Sequence, residues 1–202
     1  MAPRLGLGRL WAPWRMPYIK SADEPQGCLF CRVARARDDR KNLVVHRGAL
    51  ALVMLNRYPY NPGHLMVAGL SHAASLADLT PAERQALVEA VILAERALAS
   101  EYRPHGLNLG ANLGRVAGAG FPGHLHVHLV PRWNGDTNFM PVVAKTKVLP
   151  ESLARTWSRL RKAMATLAKG AGARGKAFRR GAAQADRRGA RGAGRGGRGR
   201  RG

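Results

Sequence analysis

Short apolar blocks fill the first part of the chain, and apolar residues then step at helical intervals. Leu43 to His46 and Leu50 to Leu55 are β-prone runs, and Arg47-Gly48 between them supplies a hairpin turn. RYPYNPG follows as a turn cluster, and Gly63 to Leu70 (GHLMVAGL) reads as a third strand. Thr80-Pro81-Ala82-Glu83 is a helix start: Thr80 can cap, Pro81 suits the first helical position, and Glu83 completes a capping box. Leu87, Val91, Ala94 and Leu98 continue it on one face, which predicts a helix from about Pro81 to Glu101. Gly106 to Asn112 reads as a strand and Gly114 to Gly123 as a glycine-rich loop. Gly123 to Trp133 (GHLHVHLVPRW) alternates again and reads as the last strand. Leu153, Trp157, Leu160, Met164 and Leu167 form the apolar stripe of a C-terminal helix. Three strands, a helix, two strands and a helix do not alternate as βαβ units do, so the fold expected is antiparallel α+β.

Composition bounds this picture. Hydrophobic residues make up 46% of 202 residues, enough for one globular body with a core. No apolar run reaches membrane-spanning length, and MAPRLGLGRLWAPWRM lacks the apolar core of a secretory signal, so the expected setting is cytoplasmic. Residues 1–26 mix Trp11, Trp14, Tyr18 and prolines and read as an N-terminal arm, and residues 27–168 read as the domain. From Lys169 to Gly202 the chain is Gly, Arg and Ala, with twelve Lys and Arg against one Asp. That tail is expected to be disordered, and it holds half of the formal charge of +22. The rest of the chain is basic in its own right, which suits an anionic ligand. The tail is either a solvated extension or a weak, salt-sensitive contact for nucleic acid, since Phe178 is its only aromatic residue.

Three of the seven histidines occupy alternate positions: His124, His126 and His128. On a strand they share one face, neighbours about 7 Å apart, while Leu125, Val127 and Leu129 share the other and face the core. Three imidazoles there need hydrogen-bond partners. They fit a solvated face, a three-histidine metal centre, or nucleophilic chemistry on phosphorus with glycine-loop amides holding the anion. Cys28 and Cys31 form a Cys-x-x-Cys pair, which reads as half a metal site, a redox pair or two free thiols.

GHLHVHLV resembles the His-φ-His-φ-His-φ-φ signature of the histidine triad (HIT) superfamily of nucleotide hydrolases and transferases. LNRYPYNPGHLMV is similar to the segment that frames the nucleotide pocket in that family. LGANLGRVAGAGFPGHLHVHLVPRWNGDTNF and the arm LWAPWRMPYI resemble its bacterial diadenosine tetraphosphate phosphorylase branch. The resemblance covers roughly Leu10 to Leu167. It implies a HIT-like fold: an antiparallel sheet of about five strands, one long central helix and a C-terminal helix, in a homodimer whose two small sheets join.

It also implies a catalytic set. His126 would attack the α-phosphate to give a nucleotidyl-histidine. His128 would contact phosphate oxygens and orient the leaving group, and His124 would buttress the site. Asn56 would contact the ribose and base side, while Asn112 and the loop through Gly118 and Gly120 would hold phosphates. His64 would stand behind them, or be a buried histidine bonded to a carbonyl. Zinc-containing members imply a structural zinc on Cys28, Cys31, His72 and His124. One position departs from the family: Gly120 stands where many members carry glutamine. The lost amide leaves room beside His126 for inorganic phosphate, with Arg115 nearby in the loop. The reaction implied is phosphorolysis of diadenosine tetraphosphate to ADP and ATP. Hydrolysis of dinucleoside polyphosphates or other AMP-linked substrates is the alternative, and a nucleotide- or RNA-binding adaptor with little turnover is the reading from another class.

Overall fold

In this computed structural model the described residues are 27–136 and 150–170. In chain order they form α1 (Leu29–Arg35), β1 (Val44–Arg47), β2 (Ala51–Leu55), β3 (Leu65–Gly69), α2 (Pro81–Tyr102), β4 (Gly106–Gly110), β5 (His126–Arg132) and α3 (153–170). The expected arm over 1–26 lies outside these residues. So does the expected tail, apart from 169 and 170, which end α3.

The five strands make one antiparallel sheet in the order β1-β2-β3-β5-β4. The β1–β2 turn closes where Gly48 N donates to Ala51 O at 2.8 Å. Helix α2 then carries the chain past one strand position, and β5 returns to fill the gap between β3 and β4. The α2 start is the expected capping box: Thr80 accepts from Glu83 N while the Glu83 carboxylate accepts from Thr80 N. Its last carbonyls meet Arg103, whose φ of 43° ends the helix.

Both faces of the sheet are covered, which is why every residue of β2 and β3 is buried. On one face Val53, Leu55, Leu65, Val67 and Leu129 pack against Leu87, Ala94 and Leu98 of α2 and Leu160 and Met164 of α3. Full burial of a side chain such as Leu160 contributes about 1.5–3 kcal/mol. On the other face Val44, Leu52, Met54, Met66 and Ala68 pack against Phe30 and Val33 of α1. Helix α1 has no counterpart in the sequence reading.

Arg47, read from sequence as a turn residue, anchors α1. Its guanidinium donates to Val33 O (2.8 Å), Ala34 O (3.1 Å) and Ala36 O (3.0 Å), and its Nε pairs with Asp39 at 2.6 Å. The carbonyls left over at the end of α1 therefore find donors on the sheet. Edge strand β1 is partly covered by α3, where Trp157 Nε1 donates to Val44 O at 2.8 Å. The other edge, β4, is exposed along most of its length.

Candidate active site

The register of β5 decides where the histidines point. His126 pairs with Ala68 and His128 with Met66 of β3, so both lie on the α1 face of the sheet. Leu125, Val127 and Leu129 take the opposite face, in or against the larger core. The strand begins at His126; His124 sits in the preceding turn, its amide donating to Phe121 O at 3.2 Å. His124 and His126 are 1% and 3% exposed, so these two do not sit on the solvated face that was one of the three sequence readings. Phe30 is the reason, its ring lying 5.1 Å from His124 and 4.7 Å from His126, centroid to centroid.

Hydrogen-bond partners fix the ring nitrogens. His126 Nδ1 lies 2.8 Å from His124 O, and only a protonated nitrogen satisfies a carbonyl, so the lone pair of the neutral ring is on Nε2. That atom has no hydrogen-bond partner among the described residues, where no fully buried side-chain nitrogen or oxygen goes unpartnered, so Nε2 is the edge of the ring open to solvent. Burial pushes the His126 pKa down, the bond to His124 O opposes that in part, and the lone pair is favoured at neutral pH.

A second chain of bonds sets His128. Tyr60 N–H donates to His64 Nδ1 at 3.1 Å, so neutral His64 carries its proton on Nε2. That nitrogen lies 2.9 Å from His128 Nδ1, which must accept, leaving the His128 proton on Nε2. His64 is thus buried against another histidine. Its backbone is set by Gly63, at φ +80°, where a Cβ would meet Leu98 at 3.1 Å. The Tyr60 ring lies tilted against His64 at 4.7 Å and stacked toward His128 at 6.4 Å, centroid to centroid. Side by side, an imidazole lone pair on His126 and an imidazole N–H on His128 can attack an electrophile and protonate a leaving oxygen.

Behind them Cys28, Cys31, His72 and His124 converge, their ligand atoms all within 4.8 Å of one another. His124 Nδ1 lies 3.3 Å from Cys28 Sγ and 3.6 Å from Cys31 Sγ, and His72 Nδ1 lies 3.3 Å from Cys31 Sγ. Tetrahedral ligands on zinc stand about 3.6 Å apart, given metal–ligand lengths of about 2.0–2.3 Å. The tautomer fits too: His124 Nε2 donates to Gly69 O at 3.0 Å, which turns the Nδ1 lone pair toward the sulfurs. These four residues can hold a metal ion. Close approach here needs Gly123, where a Cβ would stand 3.3 Å from His72 Nε2.

The remaining sequence candidates line the strand ends. Asn56 follows β2 and its Oδ1 accepts from Tyr58 N at 2.9 Å. Asn112 follows β4 and donates to Gly118 O at 3.3 Å, and Gly118 has φ +90°. Because Gly110 pairs with His128, the loop carrying Asn112, Arg115, Gly118 and half-buried Gly120 spans the end of the sheet where β5 begins. Phe30, Tyr60 and Gly69 were not singled out from sequence. Phe30 between the two cysteines and Tyr60 four residues before His64 were the available signals.

The buried face of an antiparallel sheet, with one imidazole lone pair and one imidazole N–H held by fixed partners, defines a histidine-based site for group transfer. A HIT domain model matches residues 37–135. A protein of Mycobacterium tuberculosis named AP-4-A phosphorylase is 42% identical over 158 residues, 74% of this chain and 80% of that one. One of Schizosaccharomyces pombe named bis(5'-nucleosyl)-tetraphosphatase [asymmetrical] is 32% identical over 93 residues, 46% of this chain and 50% of that one. A solved structure of a Zn-bound histidine triad family protein from Mycobacterium smegmatis shares the fold, with TM-score 0.56 at 23% identity, covering 71% of this chain and 97% of that one. This chain belongs to the histidine triad family and is one of its enzymes. Among the described residues no helix is long and apolar enough to cross a membrane.

Proposed function

We propose that the protein cleaves diadenosine tetraphosphate by phosphorolysis through a nucleotidyl group carried on His126 Nε2. Nε2 attacks the α-phosphorus, a P–N bond forms, and the P–O bond to the rest of the bridge breaks, releasing ATP. His128 Nε2–H protonates the leaving oxygen or bonds to the phosphate oxygens. Inorganic phosphate then attacks the same phosphorus, the P–N bond breaks and ADP leaves. The observation that carries this reading is the bond from His126 Nδ1 to His124 O, which reserves Nε2 as the nucleophile. The name of the M. tuberculosis relative supports the substrate and the phosphorolytic outcome. Asn56 on the nucleoside side, and Asn112, Gly118, Gly120 and Arg115 on the phosphate side, complete the assignment.

Bound zinc would supply a structural tie on Cys28, Cys31, His72 and His124. The chain's own part is to present His124 so that its carbonyl holds His126. A cytoplasmic setting keeps Cys28 and Cys31 reduced, as the free thiols they are here. A homodimer joined through the sheets suits the exposed β4 edge, where Leu109 is 60% exposed. The reading is tested by incubating the protein with diadenosine tetraphosphate with and without phosphate. ADP plus ATP only when phosphate is present supports it. ATP plus AMP under both conditions, the outcome suggested by the name of the S. pombe relative, replaces phosphorolysis with hydrolysis.

A further inference from the structure

A cavity of about 530 Å³ opens where the loop after α1 meets α3. Its walls are Arg37, Asp38, Asp39, Arg40, Trp157 and Arg161. It is not part of the histidine site. It adjoins the β1 edge, where Trp157 and Arg161 both reach Val44 O, and β5 lies three strands further into the sheet. Three strand spacings amount to about 14 Å.

The lining is built for an anion that also carries a flat ring. Asp39 is already neutralised, since Arg47 and Arg161 both pair with it. Asp38 is used by its own turn, accepting from Lys41 N at 3.0 Å. Arg37 and Arg40 are exposed and have no hydrogen-bond acceptor among the described residues. Asp38 keeps its charge, and against it two guanidinium groups are left to meet an incoming anion, each able to take a phosphate through paired N–H donors. The indole of Trp157 shares this lining, half-buried and held by its Nε1 bond to Val44 O. The guanidinium carbons of Arg161 and Arg40 lie 5.3 and 5.9 Å from its centroid. Both guanidinium groups lie over the indole, and a guanidinium backed by a ring offers a nucleobase a plane on which to stack. The volume falls within the range of small-ligand pockets, and the hollow is largely open to solvent.

We infer that this cavity is a second nucleotide-binding site, in which Arg37 and Arg40 take phosphate and Trp157 with its arginines takes the base. The nucleotide unit can come from a single-stranded nucleic acid or from a free nucleotide. Binding there is independent of the reaction assigned to His126.

The test uses the full chain and three probes: a twelve-nucleotide oligoadenylate RNA, AMP and ADP. Arg37→Gln/Arg40→Gln removes the phosphate donors and breaks no side-chain hydrogen bond or ion pair among the described residues, while taking the Arg40 guanidinium off the Trp157 ring. Arg198→Gln/Arg200→Gln removes the same charge from the tail. Amide hydrogen exchange of residues 37–41 and 157–161 reads the site itself. With RNA, those amides gain protection, and the Arg37/Arg40 variant binds about tenfold more weakly, with a salt slope reduced by about 1.4 for two single-strand phosphate contacts. The tail variant loses less. Protection by AMP or ADP at the same amides, lost in the Arg37/Arg40 variant, supports the site with a free nucleotide as the source. Turnover of diadenosine tetraphosphate stays unchanged in that variant. The inference is overturned if no probe protects these amides, if the tail variant weakens RNA binding as much, or if the Arg37/Arg40 variant loses turnover.

Discussion

Replacing Arg47 should loosen the helix that covers His126. In Arg47→Met, Ala34 O and Ala36 O lose the guanidinium donor, Val33 O keeps only Ala36 N at 3.2 Å, and Asp39 loses a 2.6 Å partner. A hydrogen bond from a charged donor is worth about 1.5–3 kcal/mol when buried. The Arg47 side chain is 27% exposed, so water replaces part of that, and about 1 kcal/mol per carbonyl is the appropriate scale. The partly exposed ion pair adds at most about 1 kcal/mol. The expected loss is therefore about 3–4 kcal/mol, or a melting point lowered by about 10 °C in a chain of this size. Urea unfolding gives the first number. Hydrogen exchange over residues 29–35 should show α1 opening before the sheet, with slower nucleotidyl transfer because Phe30 no longer covers His126. Arg47→Lys should recover less than half, since an ammonium cannot serve three carbonyls with a fixed fork. A loss below about 1 kcal/mol, with the α1 amides still protected, would refute the assignment of Arg47 as the anchor.

Three further outcomes follow from the same structure. Gly123→Ala should weaken metal binding about tenfold in a chelator competition while leaving the urea midpoint nearly unchanged, because only His72 is crowded; equal metal retention would remove His72 from the ligand set. Phe30→Ala should cost about 3–5 kcal/mol in urea unfolding, since the ring is 1% exposed and packs on two histidines; a cost under 1 kcal/mol would mean that α1 does not seal this face. Asp136 is held well below the usual carboxylate range by its bond from Arg132, so its ionised form is favoured in the folded state. Its stabilisation should be complete above about pH 5 and fade as the pH falls below about 4. The stability gap between wild type and Asp136→Asn should narrow over that window, and a constant gap from pH 7 to pH 2 would contradict the sign.

Elements whose evidence is local were legible in the sequence. The Thr80 capping box, the α3 stripe through Leu160 and Met164, and the alternation that separates His126 from Leu125 each depend on neighbours a few residues apart. Helix α1 was not legible, because seven residues hold too few turns for a periodic signal and its apolar face shows only as Phe30 and Val33. Missing α1 made the histidine face look open when it is covered. The function of Arg47 was hidden for the same reason: its partners lie 11 to 14 residues away on an element the pattern did not reveal. Strand order was hidden too, since nothing local says that β5 enters between β3 and β4. The metal cluster stands between these cases. Cys28 and Cys31 announce themselves, whereas His72 and His124 came from resemblance, and the structure brings all four together.

The central claim is that His126 Nε2 carries the nucleotide between the two half-reactions. Rapid quenching of the protein with diadenosine tetraphosphate in phosphate-free buffer, followed by peptide mass spectrometry at alkaline pH, tests it directly. The account predicts one adenylyl group on the peptide spanning 123–132, assigned to His126, absent in His126→Asn and discharged as ADP when phosphate is added. An adduct on His128 instead, or undiminished turnover by His126→Asn, would contradict it.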